Sequence, residues 1–231
     1  MRKLVFSLCI GLVILSGCSK ETPNISSTNT TAVNSYIRFS MPNQNIAFSD
    51  SSKNTADSLY AIYYNGVSDS ALTGGSKLYA LAIAGYRSKD TSNIALIIEG
   101  YSAITNGKYD FVNSEALNNS NGLSQPKFFG LAYTISNRLG YGFIDNIQTT
   151  GYTQITNFDL TNKIIEGTFE QDNCAKYDGN NNILTKGFNM TNGTFKTKVL
   201  VINQADYDSK YKNMSIHSIQ MPKLSALVNK F

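Results

Sequence analysis

The chain has 231 residues, 42% hydrophobic and 11% aromatic, and its 20 Lys and Arg stand against 16 Asp and Glu for a net charge of +4. That balance, with no clustered run of Lys and Arg interleaved with aromatics, excludes a sequence-independent nucleic-acid binder, which needs a basic footprint on the phosphate backbone. One His and three Cys leave a zinc or other transition-metal centre without a ligand set, so no metal or other cofactor is expected.

Arg2 and Lys3 precede the apolar run Leu4–Leu15, broken only by Ser7 and Gly11, and Leu15-Ser16-Gly17-Cys18 closes the segment. Basic, apolar and small residues in that order predict a secretory signal peptide over residues 1–17. Such a run spans about 18 Å as a helix, short of a hydrocarbon core of about 30 Å, which argues against a retained membrane span. The last four residues resemble the lipobox of bacterial lipoproteins. The resemblance implies a diacylglyceryl group on the Cys18 thiol and a further acyl chain on its freed amine. Several acyl chains hold a protein stably on a bilayer, so the expected partner is a membrane and the expected place is the cell envelope, at the outer membrane. Cleavage removes Arg2 and Lys3 from the 20 basic residues, leaving 18 against 16 acidic ones. It also removes Cys9. With Cys18 lipidated, Cys174 is the one thiol left, and no intramolecular disulfide can form.

Residues 18–32 combine the lipidated Cys with a polar, aperiodic stretch containing Pro23, read as a flexible tether. From residue 33 to 231 a single β-rich domain is expected. Its strands are Asn34–Met41, Leu59–Tyr64, Leu78–Tyr86, Asn93–Glu99, Lys108–Val112, Lys127–Ile135, Gly140–Ile144, Tyr152–Phe158, Lys163–Glu170 and Phe188–Ile202. Each is rich in Val, Ile, Tyr or Phe and bounded by Asn, Asp, Gly or Ser. Leu78–Tyr86 is apolar on both alternating faces, which marks a central strand. Glu170–Phe188 reads as a long solvated loop. Ala205–Met214 and Pro222–Asn229 could each hold a short helix. The fold class is all-β: an antiparallel sandwich or flattened barrel with a short helical or irregular C-terminal tail.

Ile97-Ile98-Glu99-Gly100 echoes Ile164-Ile165-Glu166-Gly167, and Thr105-Asn106-Gly107 echoes Thr191-Asn192-Gly193. Either a hairpin is repeated or two similar turns arose independently, and the unequal spacers favour the second. The stretches Ile155–Asp159, Ile165-Glu166-Gly167-Thr168-Phe169 and Met190-Thr191-Asn192-Gly193-Thr194-Phe195 resemble the C-terminal half of a family of Bacteroidota lipoproteins. That family carries I-x-x-[FY]-D, I-x-G-T-F and [IM]-T-x-G-x-F in order. The likeness covers Leu78 to Ile202, loosely extends to Val33–Tyr64 and does not reach the tail. It implies a secreted β-rich domain and brings no activity with it.

No catalytic residue stands out. There is no G-x-S-x-G, and the lone His217 has no evident partners. Ser124-Gln125-Pro126-Lys127 and Ser209–Lys212 fit S-x-x-K without its companion motifs. The oxygen-rich stretches at Asp172-Asn173 and Asp178–Asn182 fail the calcium-loop pattern. Glu166 and Glu170 share a strand face but lie roughly 13 Å apart, too far for a glycosidase pair, leaving cross-strand pairs of Glu99, Asp145 or Asp159 open. Three functions follow in order. The first is a non-catalytic binding or structural module for a glycan or an envelope protein, using surface aromatics from the doublets Tyr63-Tyr64 and Phe128-Phe129. The second is a carrier of an apolar ligand in an internal cavity, and the third is a carboxylate-based hydrolase. A filled core with an exposed aromatic strip would favour the first.

Overall fold

The computed structural model describes residues 34–49, 57–68, 76–112, 124–136, 139–142, 149–180 and 182–211. The signal segment, Cys18, the tether, Asp145, His217 and Pro222–Asn229 lie outside the described residues.

Among the described residues eleven strands form one sheet: β1 (Tyr36–Met41), β2 (Gln44–Ser49), β3 (Ser58–Val67), β4 (Leu78–Arg87), β5 (Ser92–Gly100), β6 (Gly107–Asp110), β7 (Lys127–Ile135), β8 (Leu139–Gly142), β9 (Thr150–Asp159), β10 (Ile164–Asp178) and β11 (Ile183–Ile202). Their order is β2-β1-β11-β3-β4-β5-β7-β8-β10-β9-β6, and β10 also pairs with β11, so the sheet closes on itself. The all-β class and the flattened-barrel architecture are as the residue pattern predicts.

The long β10–β11 hairpin is the spine. One wall of the barrel is β6-β9-β10-β11-β1-β2, and the facing wall is β3-β4-β5-β7-β8. The walls join where β11 passes to β3 and where the far end of β10 passes to β8. A third seam is the bridge between Phe111 and Phe128, closed by Val112 N–H donating to the Phe128 carbonyl at 2.9 Å.

Three expectations are corrected. Pairing is not wholly antiparallel, since β11 runs parallel to β3 with Val199 opposite Ala61. A strand that was not expected, β2, follows a tight turn in which Asn43 takes φ 65°. The stretch Glu170–Phe188 is no long loop: β10 continues to Asp178 and β11 resumes at Ile183. Asn173 at φ 54° and several register shifts bend β10 there, releasing it from β9 and delivering it to β8. The two echoed segments also occupy different settings. Glu99 is buried on β5, whereas Glu166 faces solvent on β10 and pairs with Lys196.

The core lies between the walls. Phe39, Phe48, Phe128, Tyr133, Phe169 and Phe195 are each at most 2% exposed. Rings meet across the interior: Phe39 and Tyr133 at 5.8 Å, Phe48 and Tyr133 at 6.0 Å, and Tyr63 and Phe158 at 4.9 Å between centroids. Burying each such side chain contributes about 1.5–3 kcal/mol.

The family-like motifs sit at the centre of the spine. Gly167 of β10 pairs with Phe195 of β11, and Phe169 of β10 pairs with Gly193 of β11. Each Phe ring therefore lies over the glycine opposite. A Cβ on Gly193 would come within 2.6 Å of the Phe169 ring, and one on Gly167 within 2.6 Å of Phe195 Cζ. The two G-T-F triplets are one reciprocal packing device, built from strand pairing rather than from chemistry.

Candidate functional site

All four doublet aromatics are buried: Tyr63 at 1%, Tyr64 at 4%, Phe128 at 0% and Phe129 at 7% exposure. Alternation does send the members of each pair to opposite faces, but the β3–β4–β5–β7 wall is covered on both. Tyr63 and Phe128 enter the core. Tyr64 packs outside it with Val67, Leu78, Ala80, Ile202 and Tyr207, the last following a single helical turn, α1 (Gln204–Asp206), capped by Asn203. Helical backbone continues through Tyr207–Tyr211, so the helix begins one residue before the expected Ala205–Met214 segment and follows it to the last described residue. Burial also pushes the Tyr63 phenol up to about 12. These residues do not form a surface strip.

The opposite wall carries two outward aromatics of its own, whereas β3 and β4 keep Tyr60 and Tyr86 half-buried on their outer side. In β1 the inward residues are Ile37, Phe39 and Met41, so Tyr36, Arg38 and Ser40 face out. In β9, Thr153 and Ile155 are buried, which turns Tyr152 and Gln154 outward. One cross-strand row runs Ala47, Arg38, Thr194, Thr168, Gln154, Lys108. The next row upward holds Tyr36, Lys196 and Glu166, and the next row downward holds Glu170, Tyr152 and Asp110.

Tyr36 and Tyr152 each carry a cation. The Arg38 guanidinium lies 4.8 Å from the Tyr36 ring centroid, and Lys108 Nζ lies 4.3 Å from that of Tyr152. Lys196 Nζ meets Glu166 at 3.1 Å. The Tyr152 phenol titrates above its ordinary value, through burial first and then through the Glu170 carboxylate paired with it across the strands. Arg38, Lys108, Lys196 and Lys198 stand against Asp110, Asp159, Glu166, Glu170 and Asp172, so both signs are interspersed on the face and nearly cancel. The Tyr-x-Arg alternation of β1 was the signal available in the sequence for this surface. The side chains offered by the doublets were the more conspicuous and pointed to the wrong wall.

The remaining chemistry-bearing residues hold the fold. Asp159 accepts from Thr161 N, Asn162 N and Asn162 Nδ2 in its own turn, which lowers its pKa. Asp178 does the same for Asn180 and Asn182, so this oxygen-rich stretch shapes a hairpin turn. Glu99 is buried on the β3–β4–β5–β7–β8 wall, away from the Asp159 turn. Arg87 clasps one end of the barrel: it grips Asp90 at 2.6 Å, donates to the Ala47 carbonyl at 2.8 Å and lies over Phe48. That grip, reinforced by Ser92, holds the Asp90 carboxyl down at about 2. Asp57 accepts from the Ser88 N–H and hydroxyl beside it, and its pKa falls accordingly.

Gln171 fills a gap in the ladder. Its Oε1 accepts from Leu131 N–H at 2.7 Å and its Nε2 donates to Leu131 O at 3.4 Å, doing for β7 what a neighbouring strand would do. Cys174 beside it is fully buried, and burial pushes its thiol up to about 12, the state of an inert packing residue.

Among the described residues no group of three or more His, Cys, Asp and Glu could hold a metal, and no helix is long and apolar enough to cross a membrane. Comparison with protein-family models, curated proteins and solved structures gives no match to the chain.

Proposed function

We propose that this protein is a membrane-anchored, non-catalytic binding module of the cell envelope, held by lipid on Cys18, and that the solvent face of the β6-β9-β10-β11-β1-β2 wall is its binding surface. The observation that carries this is the contrast between the two walls. The wall holding β3 and β7 buries all four doublet aromatics, while the other turns Tyr36 and Tyr152 outward, each beside a cation. Aromatic rings bearing a polar rim are the side chains that anchor recognition of sugars and of protein partners alike. The interior that a carrier of apolar ligands would keep open is instead occupied by Phe39, Phe128, Phe169, Phe195 and Tyr133. The tether gains for such a surface a high local concentration at the membrane, which strengthens weak contacts.

The test compares the full-length wild type with a Tyr36→Ala/Tyr152→Ala double variant, both in detergent, for retention on envelope material stripped of its membrane lipid, where the anchor on Cys18 cannot hold either protein. Loss of retention with an unchanged melting temperature is the expected result. Equal retention of the two proteins overturns the assignment of this face.

A further inference from the structure

The open face also limits what it can hold. We infer that its ligand is an extended, uncharged glycan lying along the diagonal from Tyr36 to Tyr152; this rests on the binding-module reading. Three observations lead there. First, the face carries four cations interspersed with five carboxylates, so it has little net field to attract or align an anionic or cationic chain. Second, apart from its two tyrosines it presents none of the exposed large apolar side chains among the described residues. The exposed large hydrophobics among the described residues are Leu160, in the β9–β10 turn, and Ile183 and Leu184, at the tip of the hairpin. None lies on the face. Third, what the face does offer suits hydroxyl-rich ligands: two aromatic stations with hydroxyls between them.

The register gives the spacing. Tyr36 and Tyr152 are three strand intervals apart across the sheet and four residues apart along it, which at about 4.8 Å and 3.3 Å per step separates them by about 20 Å. Thr194 and Thr168 are directly paired at the midpoint of that diagonal. A sugar stacked on each ring displaces the Arg38 or Lys108 cation to its rim, where its N–H groups donate to sugar oxygens. The two threonine hydroxyls serve the chain between the stations, and Glu170, the cross-strand partner of Tyr152, accepts from a hydroxyl beside the second.

The experiment is affinity electrophoresis and calorimetry of the full-length protein in detergent, with a linear β-glucan, a xylan, a mannan and, as the anionic control, polygalacturonate. Binding to at least one neutral polysaccharide and not to polygalacturonate is expected. Tyr36→Ala and Tyr152→Ala should each weaken it about tenfold or more, while Tyr152→Phe, which keeps the ring, should stay within about twofold. Affinity should rise with oligomer length until the chain reaches both rings and then level off. Preference for polygalacturonate, insensitivity to both alanine variants, or affinity independent of length overturns the inference. Absence of polysaccharide binding overturns it too, but it spares the binding-module reading if the double variant still loses retention on envelope material. If that retention is also unchanged, both fall.

Discussion

Replacing Gly167 or Gly193 by alanine probes the packing device at the heart of the spine. The added Cβ at Gly193 would sit 2.6 Å from Cγ and Cδ2 of Phe169, and it would crowd that residue's carbonyl as well. At Gly167 the methyl would meet Phe195 Cζ at 2.6 Å and crowd the Gln154 carbonyl on β9. Neither Phe can swing aside, because both are fully buried in the core. Nor can the carbonyls move without parting the strands. Overpacking of this kind costs about 1–3 kcal/mol, and backbone obstruction places these sites near the upper end. For a domain of this size each kcal/mol lowers the melting temperature by about 2–4 °C, so about 3 kcal/mol predicts a fall of about 6–12 °C. Gly142→Ala is the control, since its Cβ would find nothing closer than Leu131 O at 3.4 Å. Thermal melts of the full-length protein followed by circular dichroism read all three. A shift below about 2 °C for both spine variants would refute the reasoning that G-T-F is a packing motif.

Three further outcomes follow from buried and clasped groups. Gln171→Leu leaves both Leu131 backbone groups buried without partners and should cost about 2–4 kcal/mol in urea denaturation; a change under about 0.5 kcal/mol would show that water or another strand replaces the amide. The Asp90 carboxyl has its folded pKa depressed from 3.8 to about 2, so its contribution is present above pH 3.8 and is lost as pH falls toward 2. Solvent exposure reduces that contribution to about 1 kcal/mol, and Asp90→Asn should flatten the stability-versus-pH curve in that window and not above it. Cys174 should resist iodoacetamide at pH 8 in the native protein and react on unfolding in urea; prompt native labelling would contradict its burial.

Much of the fold was legible in the chain because period-two patterning survives wherever a strand is regular. Lys127–Ile135 is bounded as expected, and Leu78–Tyr86 is indeed central, between β3 and β5. Legibility failed where one residue breaks the period. Asn173 in the left-handed region offsets the alternation of β10, so the residues after it read as loop. β2 offers only Ile46 and Phe48 as inward apolar residues, too few to stand out from its polar neighbours. The site was half legible. Alternation along Tyr36-Ile37-Arg38-Phe39 does send the tyrosine outward, but no local pattern tells which wall of a barrel is covered by the chain's own C-terminal turn. That is a long-range fact, and it is why Tyr64, the outward member of its doublet, is buried and not exposed.

The central claim is that the six-stranded face is where this protein meets its ligand, and a photo-crosslinking amino acid tests it most directly in the living cell. Placed at Thr194, at the centre of the face, it should yield a discrete protein adduct or a glycan-type smear on denaturing gels. Placed at Asn180, in the exposed hairpin turn, it should yield none. Adducts from Asn180 with none from Thr194 would contradict the account.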